Sequence, residues 1–149
     1  MQQFLPYADF DKSAHCLDMK RLGKMRVENL QLLNSIKASK ENRPYKGWKN
    51  HPARKMFYSP EQGFDYTNAL VELGRAYCLA WRSRGYKDTC LEKISAHRDK
   101  SLHEDIPYWF GREDIHLSHK SKLIQKHPDY YRPQWPDVID TLEYLWPVE

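Results

Sequence analysis

The stretch Leu17-Asp18-Met19-Lys20-Arg21-Leu22-Gly23-Lys24-Met25-Arg26-Val27-Glu28 decides the reading of the fold. With Ala14 before it and Leu32 and Ile36 after it, Leu17, Leu22 and Met25 form an apolar stripe at helical spacing. The pattern predicts one long first helix running to about Ile36. It opens near Asp9 or Asp11, whose carboxylates can accept from the exposed amides of a first turn. Gly23 inside that helix costs about 1 kcal/mol relative to Ala, which points to close approach of another backbone or a ligand. Positions 21, 24 and 28 share a helical face, so Arg21 and Lys24 fall beside Glu28. One carboxylate among cations suits chemistry on a phosphate-linked sugar. Cations hold phosphates, and the carboxylate moves a proton or steadies an oxocarbenium-like centre. The bland alternative is an Arg/Lys–Glu ladder on solvent, a common and weak arrangement.

Outward from this helix, residues 37–58 read as a long basic connection broken by Pro44, Gly47 and Pro52. Connections of that length are usually functional or disordered. Ser59-Pro60-Glu61-Gln62 looks like a capping box with proline at the first helical position, predicting a second helix from there to Arg84 that stops at Gly85. Leu70, Leu73, Tyr77 and Trp81 would be its buried face. A short helix is expected after Thr89, and another from about Asp114 to Lys126, ended before Pro128. The tail carries Tyr130, Tyr131, Trp135 and Trp146. No alternating strand pattern stands out, so the expected class is all-α, one domain over residues 1–149.

The chain has 149 residues and a net charge of +4. The charge is uneven: residues 1–60 hold twelve Lys/Arg against five Asp/Glu, residues 61–149 twelve against fifteen. A basic half suggests a cationic face and a polyanionic partner. No apolar run approaches the roughly 20 residues that span a bilayer, and no signal-like segment opens the chain, so no membrane is expected. Cys16, Cys78 and Cys90 are few and far apart. They fit a reducing cytoplasm and buried apolar thiols rather than a disulfide framework.

Two further clusters carry polar chemistry. Gly47-Trp48-Lys49-Asn50-His51-Pro52 sets an aromatic, a cation and an imidazole in the basic loop: Trp48 for a base, Lys49 for phosphate, His51 for a proton or phosphate. Loop-to-core pinning by Trp48 accounts for the same residues without function. In Ile115-His116-Leu117-Ser118-His119-Lys120-Ser121-Lys122, His116, His119 and Lys120 share a face. A His pair at this spacing can bind metal, but no third ligand follows, so neither metal nor cofactor is expected. A phosphate-contacting face using Ser118, Lys120 and Lys122 is the alternative to a plain polar surface.

Several segments resemble one family. Leu22-Gly23-Lys24-Met25-Arg26 with Glu28 is similar to the leucine–small–polar–x–arginine–glutamate segment in the first helix of pyrimidine-dimer glycosylases of the phage endonuclease V type. Arg84-Gly85-Tyr86-Lys87-Asp88-Thr89 resembles that family's turn after the second helix. Ile106-Pro107, Ser118 to Lys122, and His127-Pro128-Asp129-Tyr130-Tyr131 resemble its final helix and aromatic tail, and Phe4-Leu5-Pro6 its bacterial and phage branch. The resemblance implies a compact all-helical monomer that binds double-stranded DNA, flips a nucleotide and cuts the glycosidic bond. It implies attack by the terminal α-amine on the sugar C1′, a Schiff base, help from a first-helix glutamate, and strand nicking by β-elimination. Glu28 is the candidate glutamate and Met1, which Gln2 should keep in place, the candidate amine; Lys20, Lys24 or water are alternatives. DNA contacts are expected from Arg21, Lys24, Arg26, Trp48, Lys49, His51, His116, His119, Lys120 and Lys122. The competing functions are a non-catalytic DNA-binding module and a nuclease with His51, His116 and His119 around a metal.

Overall fold

The computed structural model of the chain describes residues 2–45, 47 and 50–147. Among them are seven helices and one hairpin: α1 (Phe10–His15), α2 (Met19–Lys40), α3 (Pro52–Lys55), β1 (Tyr58–Ser59), β2 (Phe64–Asp65), α4 (Thr67–Ser83), α5 (Leu91–Ser95), α6 (Glu113–Lys126) and α7 (Pro128–Tyr131). The fold is mostly helical, as the periodicity predicts. Among the described residues no helix is long and apolar enough to cross a membrane.

The predicted first helix is two helices. Asp9 caps α1 by accepting from the Lys12 amide at 2.8 Å. The chain then breaks at Asp18, whose backbone is extended. The cause is tertiary. The Tyr131 phenol accepts from the Asp18 amide at 2.8 Å and donates to the Asp18 carboxylate, so the residue is taken out of helical geometry to start α2. α2 then runs past Ile36 to Lys40, shortening the predicted connection, within which α3 also forms.

The second helix does not open at Ser59. Ser59-Pro60-Glu61-Gln62-Gly63 is instead the turn of the β1–β2 hairpin, in which Tyr58 faces Asp65 and Ser59 faces Phe64. Proline's fixed φ serves a turn as well as a first helical turn, so the local signal fits both. The start of α4 falls to Asp65, which accepts from the Thr67 amide at 3.0 Å. Its end is as expected: Gly85 takes φ +88° just beyond Arg84.

α2 and α4 pack closely. At Gly74 a Cβ would overlap the Asn29 side chain, and at Gly23 a Cβ would lie 3.0 Å from the Trp81 ring. The close approach expected at Gly23 is therefore to an indole. Between α4 and α5, the buried Asp88 carboxylate accepts from the Cys90 and Leu91 amides at 3.2 and 2.9 Å and pairs with Arg26 of α2. One apolar cluster extends from Phe4 to Tyr144.

The N-terminal segment is threaded into this core: Gln3, Phe4 and Leu5 are buried. No strand pairs with it, so its backbone groups must find side chains. Tyr144 donates to the Gln3 carbonyl and Tyr77 to the Phe4 carbonyl, each at 2.7 Å. The Leu5 amide donates to His119 Nδ1 at 2.9 Å, and His116 Nδ1 lies 2.7 Å from the Leu5 carbonyl. Since His116 Nε2 accepts from the Gly111 amide, its proton sits on Nδ1 and is donated to Leu5. His119, accepting at Nδ1, carries its proton on Nε2.

Candidate active site

A cavity of about 190 Å³ opens between α2, the N-terminal segment and the last turn of α6. Gln2 and Phe4 line it from the segment, Lys20, Arg21, Lys24 and Glu28 from α2, and Lys126 from α6. Helical spacing alone places Lys20, Lys24 and Glu28 one above the other on α2. The segment's four side-chain tethers hold Gln2 and Phe4 against them.

Glu28 is only 8% exposed. Its Oε1 lies 3.6 Å from Lys24 Nζ. Its Oε2 is buried and has no hydrogen-bond partner. Burial raises its pKa, and the Lys24 charge opposes that rise. The result is a carboxyl that holds its proton more tightly than an exposed glutamate does, on a residue that lines the cavity. Val27, one residue earlier, is 43% exposed and is not among the residues that line the cavity.

The surrounding cations are held differently. Arg21 Nη1 lies 3.2 Å from Asp18 Oδ2, and Asp18 is fixed by Tyr131. Lys24 is exposed apart from its reach to Glu28. Lys126 has a lowered pKa, from burial first and then from Arg21, Lys122 and Lys24. The predicted Lys122 stands one turn before Lys126 on α6 and is not among the residues that line the cavity. Lys126 itself was missed from the sequence, though it stands one turn beyond Lys122 on the same helix.

Several predicted DNA contacts have other duties. Arg26 is committed to the buried Asp88 carboxylate and lies over the Trp81 ring at 4.5 Å, so it does not face the cavity. His116 and His119 are buried with the Leu5 backbone as their partner. Burial pushes the His119 pKa down to about 3. These two rings are core fasteners rather than phosphate ligands. Ser118 is buried too, donating to Ile115 and accepting from Leu145. Lys120 is half-buried, its ammonium 4.6 Å from the Tyr7 ring centroid. His51 caps α3 by accepting from the Ala53 amide at 3.0 Å, and its ring meets Trp146 at 5.5 Å. Trp146 packs on Tyr144, which holds Gln3, so His51 belongs to the scaffold around the segment. Met1, Trp48 and Lys49 lie outside the described residues.

Two other chemistries find little support. Among the described residues no three His, Cys, Asp or Glu side chains converge as a metal site requires. Burial pushes the Cys16 and Cys78 thiols up to about 12, removing them as nucleophiles. A larger hollow of about 600 Å³, at the end of α2, is lined by Ser35, Ser39, Asn42, Arg43, Pro44 and Tyr45. No carboxyl is among these lining residues, and Arg43 is paired with the Glu41 carboxylate at 2.6 Å.

Residues 1–93 match the family described as pyrimidine dimer DNA glycosylase. The matched span takes in the N-terminal segment, the α2 face with Glu28 and the Arg26–Asp88 pair, and it ends inside α5. The resembling motifs from Ile106 onward lie beyond it. No curated protein and no solved structure matches.

Proposed function

Because the chain belongs to the pyrimidine dimer DNA glycosylase family, we propose that it is a DNA-repair glycosylase that releases a damaged or modified pyrimidine from duplex DNA and then nicks the strand as an AP lyase, acting as a monomer. The observation that carries this reading is the buried Glu28 carboxyl. The residue lines a cation-rimmed cavity whose other wall is the tethered start of the chain, and one of its buried oxygens has no hydrogen-bond partner.

The Met1 α-amine is the nucleophile. With an ordinary pKa near 7.7–8.0 it is partly neutral at physiological pH. Its nitrogen bonds to C1′ as the glycosidic bond breaks, and the base leaves with that electron pair and takes up a proton. The C1′–O4′ bond then opens to give the imine, with Glu28 supplying the proton to O4′. The resulting carboxylate takes the C2′ proton, the C3′–O bond breaks, and the 3′ phosphate departs. Arg21, Lys24, Lys122 and Lys126 hold phosphates on either side of the lesion, with Trp48 and Lys49 reaching the duplex from the basic loop. The four tethers on residues 3–5 serve the attack by keeping the amine near C1′, since a free-swinging terminus loses the proximity advantage.

Borohydride trapping on abasic duplex DNA tests this. Wild type should form an adduct, and protein acetylated at the terminus or extended before Met1 should not, while still binding. Full trapping by the blocked protein would move the nucleophile to Lys20 or Lys24. DNA binding with neither adduct nor base release, across duplexes carrying a cyclobutane dimer, an abasic site or modified pyrimidines, would make the chain a binding module.

A further inference from the structure

Next to the Glu28 cavity, along the neighbouring ridge of α2, lies a layered aromatic surface that the proposed chemistry does not use. The Trp81 indole lies against Gly23. Tyr86 packs on Trp81 with ring centroids 4.4 Å apart, and its hydroxyl lies 2.9 Å from the Met19 sulfur. Met19 is 54% exposed and Tyr86 40%, an unusual degree of exposure for two touching large side chains. Trp81 is anchored from behind by the Lys87 carbonyl and by the Arg26 guanidinium, so the ledge is rigid at its base. Exposed cations adjoin it along the chain: Lys20 follows Met19, Lys24 follows Gly23 and Lys87 follows Tyr86.

We propose that Met19 and Tyr86 form a wedge that enters the base stack of damaged duplex DNA beside the nucleotide whose sugar occupies the Glu28 cavity. This rests on the DNA-glycosylase reading above. Two observations select DNA as the occupant. The ledge is rimmed by positive charge, which suits a polyanion and opposes a second copy of the same basic surface. It also adjoins the cavity on α2, because Lys20 and Lys24, which line the cavity, are the chain neighbours of Met19 and Gly23. A nucleotide leaving the helix opens a gap in the stack, and a flat aromatic with a flexible thioether beside it can fill that gap. Positive charge holds the backbone on either side while the wedge holds the opening. Recognition by such a wedge depends on how easily a site opens rather than on base identity.

The test uses the full chain and a duplex bearing a stable abasic analogue, with 2-aminopurine beside it. Binding of wild type should brighten the 2-aminopurine by unstacking it. Tyr86→Ala should abolish the brightening and reduce the preference for abasic over undamaged duplex by about 5- to 100-fold, the usual worth of one stacked base. Affinity for undamaged duplex and trapping on single-stranded abasic DNA should stay unchanged. Met19→Ala, at an exposed first-turn position that Ala suits, should give the same direction without risk to folding. Unchanged preference and brightening in both variants would overturn the wedge. So would a change in sedimentation with no change in preference, which would make the ledge a self-association face. Failure of wild type to trap single-stranded abasic DNA, with ledge-dependent preference intact, would overturn the lyase chemistry and leave the wedge standing.

Discussion

Glu28 sits where a negative charge is costly. Its pKa is raised by burial, so the folded chain holds that proton more tightly than the unfolded chain does. Stability therefore falls as pH rises from the ordinary glutamate range through the raised value, and stays lower above it. Glu28→Gln removes the charge and keeps the shape. It should raise the Tm at pH 8 by about 2–4 °C, equivalent to roughly 1 kcal/mol in a chain of this size. Base release and trapping should fall by about 10²-fold or more. Thermal melts and single-turnover assays on one preparation check both at once. A variant that melts like wild type and turns over like wild type would make Glu28 a ladder residue. The spacing of Arg21, Lys24 and Glu28 was legible because it is local to one helix. Lys126 and the Asp18–Tyr131 support of Arg21 were not, because they come from residues about a hundred positions away.

The N-terminal segment is an element held by side chains instead of a ladder, and two of those side chains are imidazoles. His119 must be neutral to accept from Leu5, and burial pushes its pKa down to about 3 against an ordinary value of 6.5. The unfolded chain thus takes up a proton that the folded chain refuses. The contribution is fully present above about pH 6.5 and is lost as pH falls from there toward 3, by up to about 1.4 kcal/mol per pH unit. Burial lowers the His116 pKa in the same direction. His119→Phe should flatten that acid slope while costing about 1–3 kcal/mol at pH 7, since the Leu5 amide would be buried without an acceptor. Urea melts of both proteins at pH 7 and pH 5 measure this, and an unchanged slope would remove the segment's fastener role. His116 and His119 stood out in the sequence, but their partner did not. Helical spacing shows that two rings share a face without showing that the face meets the chain's own start. The same limit explains the hairpin. Ser59-Pro60-Glu61-Gln62 satisfies a turn and a helix start equally, and only the pairing of Tyr58 with Asp65 and of Ser59 with Phe64 separates them.

Across the whole molecule, the basic bias of the first sixty residues does not become one uniform face, because the cations divide by duty. Lys24 is exposed at the cavity mouth, whereas the Arg26 side chain is 11% exposed and paired with an Asp88 carboxylate that has no exposure. Sequence treats the two alike, two residues apart in a basic run. Their substitutions should separate cleanly. Lys126→Ala should leave the Tm nearly unchanged and Lys24→Ala should lower it only slightly, through the lost Glu28 contact, and each should weaken binding to all duplexes, lowering the slope of log K against log salt by about one unit for each phosphate no longer neutralised. Arg26→Ala should do the reverse. It strips the main partner from a buried carboxylate that keeps two backbone amides and a distant Arg82 at 3.6 Å. Removing one partner of a buried pair costs about 3–5 kcal/mol, and the remaining donors place this case near 3. The folded fraction of that variant should keep the wild-type salt slope. Binding titrations from about 50 to 200 mM salt, set beside thermal melts, decide the matter. A shallower slope with an unchanged Tm in Arg26→Ala would return Arg26 to the DNA surface and break the division of duties among these cations.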